Sequence, residues 1–300
     1  MRGCFSGDGY KSGFESRSLQ NVSFEQSVVR AKKVIAQEAV PFDLFEDKYG
    51  HDTVRSDKAY VANRNERFAR GEKIDDYGTN CAKIFEAILH MRLKKEDWVN
   101  GVQAIKTNEF DDIAKGVDEA VRILDPETKK ELGAFAIDAM ITGGGPLNVT
   151  VEKKMQRIHE EILKNELPSV KYFFDPETGA LGLERLPRIV VGADTKTIQE
   201  INEMWMENNK EGMRAHPLQI QIFEQIIEQA KEIGGFAERN GQIDIAKKYE
   251  EIKKWAKKQL AERTKKIDPS WNDNAMFVIS NSLFPFKDTK NFKSLEHHHH

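Results

Sequence analysis

The chain has 300 residues, with 46 Lys and Arg against 49 Asp and Glu, a net charge of −3, 39% hydrophobic residues and 32% charged ones. This balance fits a folded chain with a heavily charged surface and excludes a disordered one. No run of about 18 apolar residues occurs, which argues against a membrane span. The opening MRGCFSGDGYKSGF has no apolar signal core, so the sequence predicts a soluble, cytoplasmic protein.

The length suffices for one sizeable core with an appended element, or for two small domains. Cys4 and Cys81 form no disulfide or metal pattern, and His51, His90, His159 and His216 are too scattered for a zinc site. Leu295 to His300 reads as an expression tag.

In chain order, Phe24 to Val40 has a helical apolar stripe that Pro41 ends. Residues 41–78 are polar and turn-rich, with Arg64, Arg67 and Arg70 at helical spacing. A helix capped by Thr79 or Asn80 is expected to run to about Lys95. The period then changes. Val117 to Leu124 alternates as a strand, and Asp125-Pro126-Glu127-Thr128 is a strong turn signal. Leu132 to Ile141 is almost wholly apolar, so it is expected to be a central strand, interrupted only by Asp138. Gly143-Gly144-Gly145-Pro146 breaks it, and Thr150 is the expected cap of a helix from Val151 to about Asn165. Strand and turn recur at Val170–Phe174 and Asp175–Gly179. Arg188–Gly192 reads as a buried strand, and Asp194 or Thr195 opens a helix to about Asn208.

The remainder is helical. Pro217–Arg239 and Ile243–Arg263, joined at Asn240-Gly241, read as an antiparallel hairpin whose apolar stripe covers either the core or a second chain, giving a homodimer. Phe277-Val278-Ile279 suggests a short returning strand. The expected organisation is a helical and irregular region (1–78), a mixed α/β core (79–209), the hairpin (210–266), a tail (267–294) and the tag (295–300).

Two aspartates stand where apolar residues are expected, Asp118 early on the first core strand and Asp138 inside the most apolar one. Consecutive strands joined by a turn usually pair, so the two carboxylates are expected to meet. A buried unpaired carboxylate is costly, and an oxygen-only pair with open positions suits Mg²⁺ or Mn²⁺. The structural alternative for each is an ion pair with a neighbouring Arg or Lys. Asp111 and Asp112 read as a turn or cap pair, with Asp112 alternatively an acid that supports the metal ligands from behind, and His159 as a solvent-facing, inert residue.

Helix, Gly116-Val117-Asp118 on a strand, Ile137-Asp138-Ala139-Met140 on the next, then helix and strand, resembles the PD-(D/E)XK nuclease core over roughly residues 80–205. The resemblance implies an αβββαβ restriction-endonuclease-like fold, in which Asp118 and Asp138 bind the metal with help from the carbonyl of Ala139, and Glu86 is the helix acid. The lysine position, two after Asp138, holds Met140. Some members of that superfamily supply the lysine from the following helix, which points to Lys154, on the inward side there. The implied activity is metal-dependent hydrolysis of DNA or RNA. Arg64, Arg67, Arg70 and the basic stretch with Lys247, Lys248, Lys254 and Lys258 would contact phosphates. The alternative is a degenerate nuclease fold that only binds nucleic acid or a protein partner.

Overall fold

The computed structural model describes residues 11–70, 76–95, 98–142, 147–175, 178–263, 271 and 273–287. Cys4, the Gly143–Pro146 break and the tag fall outside them. Helix α1 (Lys11–Glu38) stops just before Pro41, whose missing N–H and fixed φ start a 3₁₀ turn at Phe42–Phe45. Short α2 (Glu46–Tyr49) and long α3 (His51–Arg70) follow, so most of the segment expected to be turn-rich is helical. The arginine spacing carried that signal. These helices dock through Tyr172, whose hydroxyl donates to Asp57 at 2.6 Å and whose ring meets Phe42, Phe45, Tyr49 and Phe110 edge-on.

The core is α/β, a mixed four-stranded sheet flanked by helices. Helix α4 (Asp76–Lys94) leads to β1 (Val102–Lys106), then α5 (Glu109–Lys115), β2 (Glu119–Leu124) and β3 (Glu131–Thr142). After α6 (Leu147–Lys164) come the hairpin β4 (Val170–Phe174) and β5 (Leu181–Leu183), then β6 (Arg188–Asp194) and α7 (Thr195–Met206). The strand order is β1-β2-β3-β6, antiparallel except for the parallel pair β3 and β6, while β4 and β5 form a separate two-stranded sheet. Strand β1 and helix α5 have no counterpart in the sequence reading. The β2–β3 turn forms as expected, because the Asp125 carboxylate accepts from the N–H groups of Glu127 and Thr128 at 3.1 and 2.7 Å. Helix α6 begins at Leu147, so Thr150 lies inside it and does not cap it. Asp194 does cap α7, accepting from Thr197 N–H at 2.8 Å.

The two sheet faces follow from alternation along the strands. Glu119 meets His90 of α4 at 2.9 Å, and its cross-strand partner is Ile137, so Ile137 faces α4. Asp138, one residue on, points to the opposite face, where α6 lies.

Beyond α8 (Lys210–Ala215), α9 (Leu218–Arg239) and α10 (Ile243–Ala261) form the expected hairpin. Its inner surface closes on its own sheet, where α9 lies along the outer edge of β6. The Gln229 amide accepts from Val190 N–H at 2.9 Å and donates to its carbonyl at 2.6 Å. Gln225 does the same for Gly192, at 2.9 Å each way. Tyr249 of α10 bonds both backbone groups of Arg188, and Asp273 accepts from Asp194 N–H. An open strand edge, a ready template for another chain, is thereby covered by side chains. The edge expected to accept a strand at Phe277–Ile279 is therefore already bonded, and that segment is instead helix α11 (Ala275–Ser282), followed by α12 (Phe284–Lys287). His159 is also not solvent-facing: it is buried against the rings of Phe236 and Phe286.

Replacing Gln229 with Leu would leave a buried N–H and a buried carbonyl of Val190 without partners. The expected loss is about 3 kcal/mol, read from urea unfolding, against almost none for an exposed control such as Glu238→Gln.

Candidate functional site

The functional residues gather at the junction of β1, α5 and β2. Asn108 caps α5, accepting from Phe110 N–H at 2.8 Å, and Gly116 ends it in the left-handed conformation. Its φ of +59° is a conformation that side chains rarely adopt, so the backbone favours glycine here, and a β-carbon would also displace the Arg157 guanidinium. From there to Asp118, every carbonyl accepts a side-chain hydrogen bond. Arg157 and Arg188 donate to Lys115, Arg188 to Gly116, Thr107 to Val117, and both Lys106 and Thr107 to Asp118. Few loops are held so completely, and this one delivers Asp118 to the sheet.

Asp118 sits at the end of the β2–β3 ladder, its N–H donating to Ile137 O at 3.2 Å. Its carboxylate accepts from Ala139 N–H at 2.8 Å. Ala139 thus contributes its N–H to the site. Carboxylate oxygens of Glu86, Asp112 and Asp118 all lie within 4.8 Å of one another, a spacing that could hold a metal ion. Asp138 stands outside this trio and forms an ion pair with Lys154 of α6. Of the residues singled out from sequence, Glu86 and Asp118 come together, Asp138 and Lys154 come together, and the two pairs meet across Asp118, whose charge acts on Asp138. Asp112 joins them as a direct member of the carboxylate group.

Electrostatics explain why this group survives burial. Burial raises the Asp112 carboxyl well above its usual range, and the charge of Asp118 beside it adds to that rise. Burial also raises Glu86, with Lys106 opposing and Asp118 reinforcing. Burial raises Asp138, against the pull of Lys154. The compensating cation is Lys106, which is 3% exposed and bonds Glu86 at 2.7 Å. Burial works against its charge, but Glu86, then Asp118, Asp112 and Glu119, outweigh that and raise its pKa. Lys106 was missed in the sequence. Its signal was faint: in Val102-Gln103-Ala104-Ile105-Lys106 the lysine shares a face with Val102 and Ala104, an inward position that demands an acid partner.

The basic residues divide. Helix α3, which carries Arg64, Arg67 and Arg70, packs beside α5 through the Asn65–Glu109 hydrogen bond at 2.7 Å, and Arg70 pairs with Glu66. Lys247 and Lys248 of α10 do not approach the trio. Lys248 lines a small cavity with Gly133, which stands five residues before Asp138, about 17 Å along the strand. Lys254 and Lys258 border a cavity of about 560 Å³ between α10 and the β2–β3 turn, which contains none of the acidic site residues. The cleft and the converging charges lie apart, and the charges make the candidate site, since an apolar cleft alone specifies no reaction.

Neighbouring Asp111 is buried with each carboxylate oxygen accepting a backbone N–H, from Lys171 at 2.8 Å and Tyr172 at 2.9 Å. Burial outweighs those bonds and raises its pKa to about 6. The folded state then holds this proton more tightly than the unfolded chain, so the associated stability is present in acid and is lost as pH rises from about 4 to about 6. In Asp111→Asn the melting temperature should be lower throughout, and its fall across that pH window shallower than in the parent, as read by thermal denaturation at stepped pH. An unchanged pH slope would show that this carboxyl does not titrate there.

Comparison with known proteins returns no match to a family model, a curated protein or a solved structure.

Proposed function

We propose that this protein is a metal-dependent nuclease that hydrolyses phosphodiester bonds of DNA or RNA on a restriction-endonuclease-like core. The observation that carries the reading is the convergence of Glu86, Asp112 and Asp118 beside the Asp138–Lys154 pair. It is supported by the order α4, β1, β2, β3, α6, β6 around a mixed sheet, which follows the αβββαβ order that the PD-(D/E)XK resemblance implies, with α5 inserted between β1 and β2 and the β4–β5 hairpin between α6 and β6.

Three carboxylates with no nitrogen or sulfur ligand suit Mg²⁺ or Mn²⁺. A bound divalent ion would supply Lewis acidity and a water of lowered pKa. Glu86, Asp112 and Asp118 hold the ion in this reading, with Asp118 oriented by the Ala139 N–H. Lys154 stands where an ammonium would stabilise charge developing on the attacked phosphate, in place of the lysine that Met140 replaces. Asp138 holds that ammonium in position and is itself a further ligand candidate. Water adds to phosphorus, the P–O bond to the leaving oxygen breaks, and the two products are a phosphate monoester and an alcohol. Arg64, Arg67 and Arg70 on the neighbouring helix would meet the strand electrostatically.

One feature favours the second reading, a degenerate fold that binds nucleic acid without cutting it. Lys106 already places a positive charge among the three carboxylates. The two readings part on metal. Cleavage of a labelled oligonucleotide in Mg²⁺ or Mn²⁺ is expected, with Asp118→Asn and Lys154→Met each reducing the rate at least a hundredfold. Salt-sensitive binding without cleavage in either metal would favour the degenerate fold.

Lys106→Met isolates the charge balance. Without its ammonium the trio is uncompensated, so the variant should unfold more easily in EDTA and regain more stability on addition of Mn²⁺ than the parent does, read as the shift in melting temperature. Equal shifts in both proteins would remove the trio as the metal site.

A further inference from the structure

A second charged assembly lies away from the carboxylates. Helix α4 turns Glu86 toward β1, but Arg92, six residues later, falls on another face of the same helix. There Arg92 meets Arg30 of α1, Lys95, and Lys210 at the start of α8 around a cavity of about 90 Å³. Its lining includes four cations and no carboxylate.

The geometry is built. Arg92 is 6% exposed. Arg30 places its guanidinium carbon 4.3 Å from the centre of the Trp205 ring and donates to Trp205 O at 2.8 Å, to Asn208 Oδ1 at 3.3 Å and to Met206 Sδ at 3.8 Å. Asn208, in the left-handed conformation, ends α7 and carries that acceptor. A guanidinium has five N–H donors, so Arg30 keeps others for a ligand while its plane is already fixed. The carbonyl end of α7 accounts for part of the attraction on Arg30, but it does not explain why Lys95 and Lys210 also border the cavity. Burial lowers the Arg30 pKa, and the charge of Arg92 adds to that fall.

We propose that this cavity binds a phosphoryl dianion. The Arg30 guanidinium is held in place by its bonds to the end of α7, guanidinium groups pair well with phosphate oxygens, and the cavity has room for a tetrahedral oxyanion. The group has two possible sources, free phosphate and the terminal monoester of an oligonucleotide. The inference does not rest on the nuclease reading and is testable without divalent metal.

The test is calorimetric titration of the full chain in EDTA with inorganic phosphate, with a short 5′-phosphorylated oligonucleotide and with its 5′-hydroxyl counterpart. Saturable phosphate binding at millimolar concentration is expected. Arg30→Met should weaken it roughly tenfold or more. Because Arg30 also braces α7, the exposed double variant Lys95→Glu with Lys210→Glu provides a second reading with little folding burden, and it should weaken binding similarly. If the phosphorylated oligonucleotide binds more tightly than phosphate and the hydroxyl form does not, the source is a nucleic-acid end. If phosphate and the phosphorylated oligonucleotide bind equally, the cavity reads the phosphoryl group alone, and both results support the proposal. Absence of phosphate binding, equal binding of the two oligonucleotides, or unchanged affinity in the double variant would overturn it.

Discussion

Arg188 joins four parts of this molecule. It is completely buried at the first position of β6. Its guanidinium holds the carbonyls of Lys115 and Gly116 and pairs with Glu161 of α6 at 2.9 Å, while its own backbone is held at both ends by Tyr249 of the hairpin. One residue thus connects the parallel strand, the crossover helix, the C-terminal hairpin and the loop that presents Asp118. A buried cation is tolerable only when its donors are met, and here the acceptors belong to three different elements. The position of the acidic site is thereby tied to the docking of segments far along the chain.

Adjacent carboxylates show how strongly local surroundings decide chemical role. Asp111 and Asp112 follow one another on α5, yet Asp111 faces the β4 backbone and is bonded by two N–H groups, whereas Asp112 faces two other acids. The first anchors α5 to β4 of the small hairpin sheet. The second is a member of a group whose charge only cations can balance, and the fold supplies one of them, Lys106, from the neighbouring strand.

Much of the framework was legible in the chain. The alternation of Glu119–Leu124, the apolar run of β3 and the two long helices after Pro217 carry their periods openly, and Asp138 was conspicuous because an acid inside such a strand needs a reason. Lys154 followed from counting helical turns. What escaped reading had weak local signals. Strand β1 has five residues and includes a glutamine and a lysine, so no period emerges from it. Phe277-Val278-Ile279 is too short an apolar run to distinguish strand from helix, and the decision lay elsewhere, in an edge that α9 had already bonded. That bonding was itself visible in principle. Gln221, Gln225 and Gln229 recur every four residues amid isoleucines, a polar stripe on an apolar face that only backbone partners could justify.

The same stripe works as a vernier. Four residues of helix advance about 6.0 Å, and two residues of strand about 6.6 Å, so a glutamine row can keep step with a sheet edge for only a rung or two before slipping by more than half an ångström at each further one. The protein's coverage changes hands where the slippage would accumulate. Gln225 and Gln229 serve Gly192 and Val190 directly, but Gln221 reaches only the carbonyl of Asp273, whose carboxylate accepts from Asp194 N–H, and at the other end Tyr249 takes over at Arg188. Inserting or deleting one residue within α9 would rotate the whole row off the strand by a hundred degrees or so, which makes this stretch of helix intolerant of length change whatever its composition.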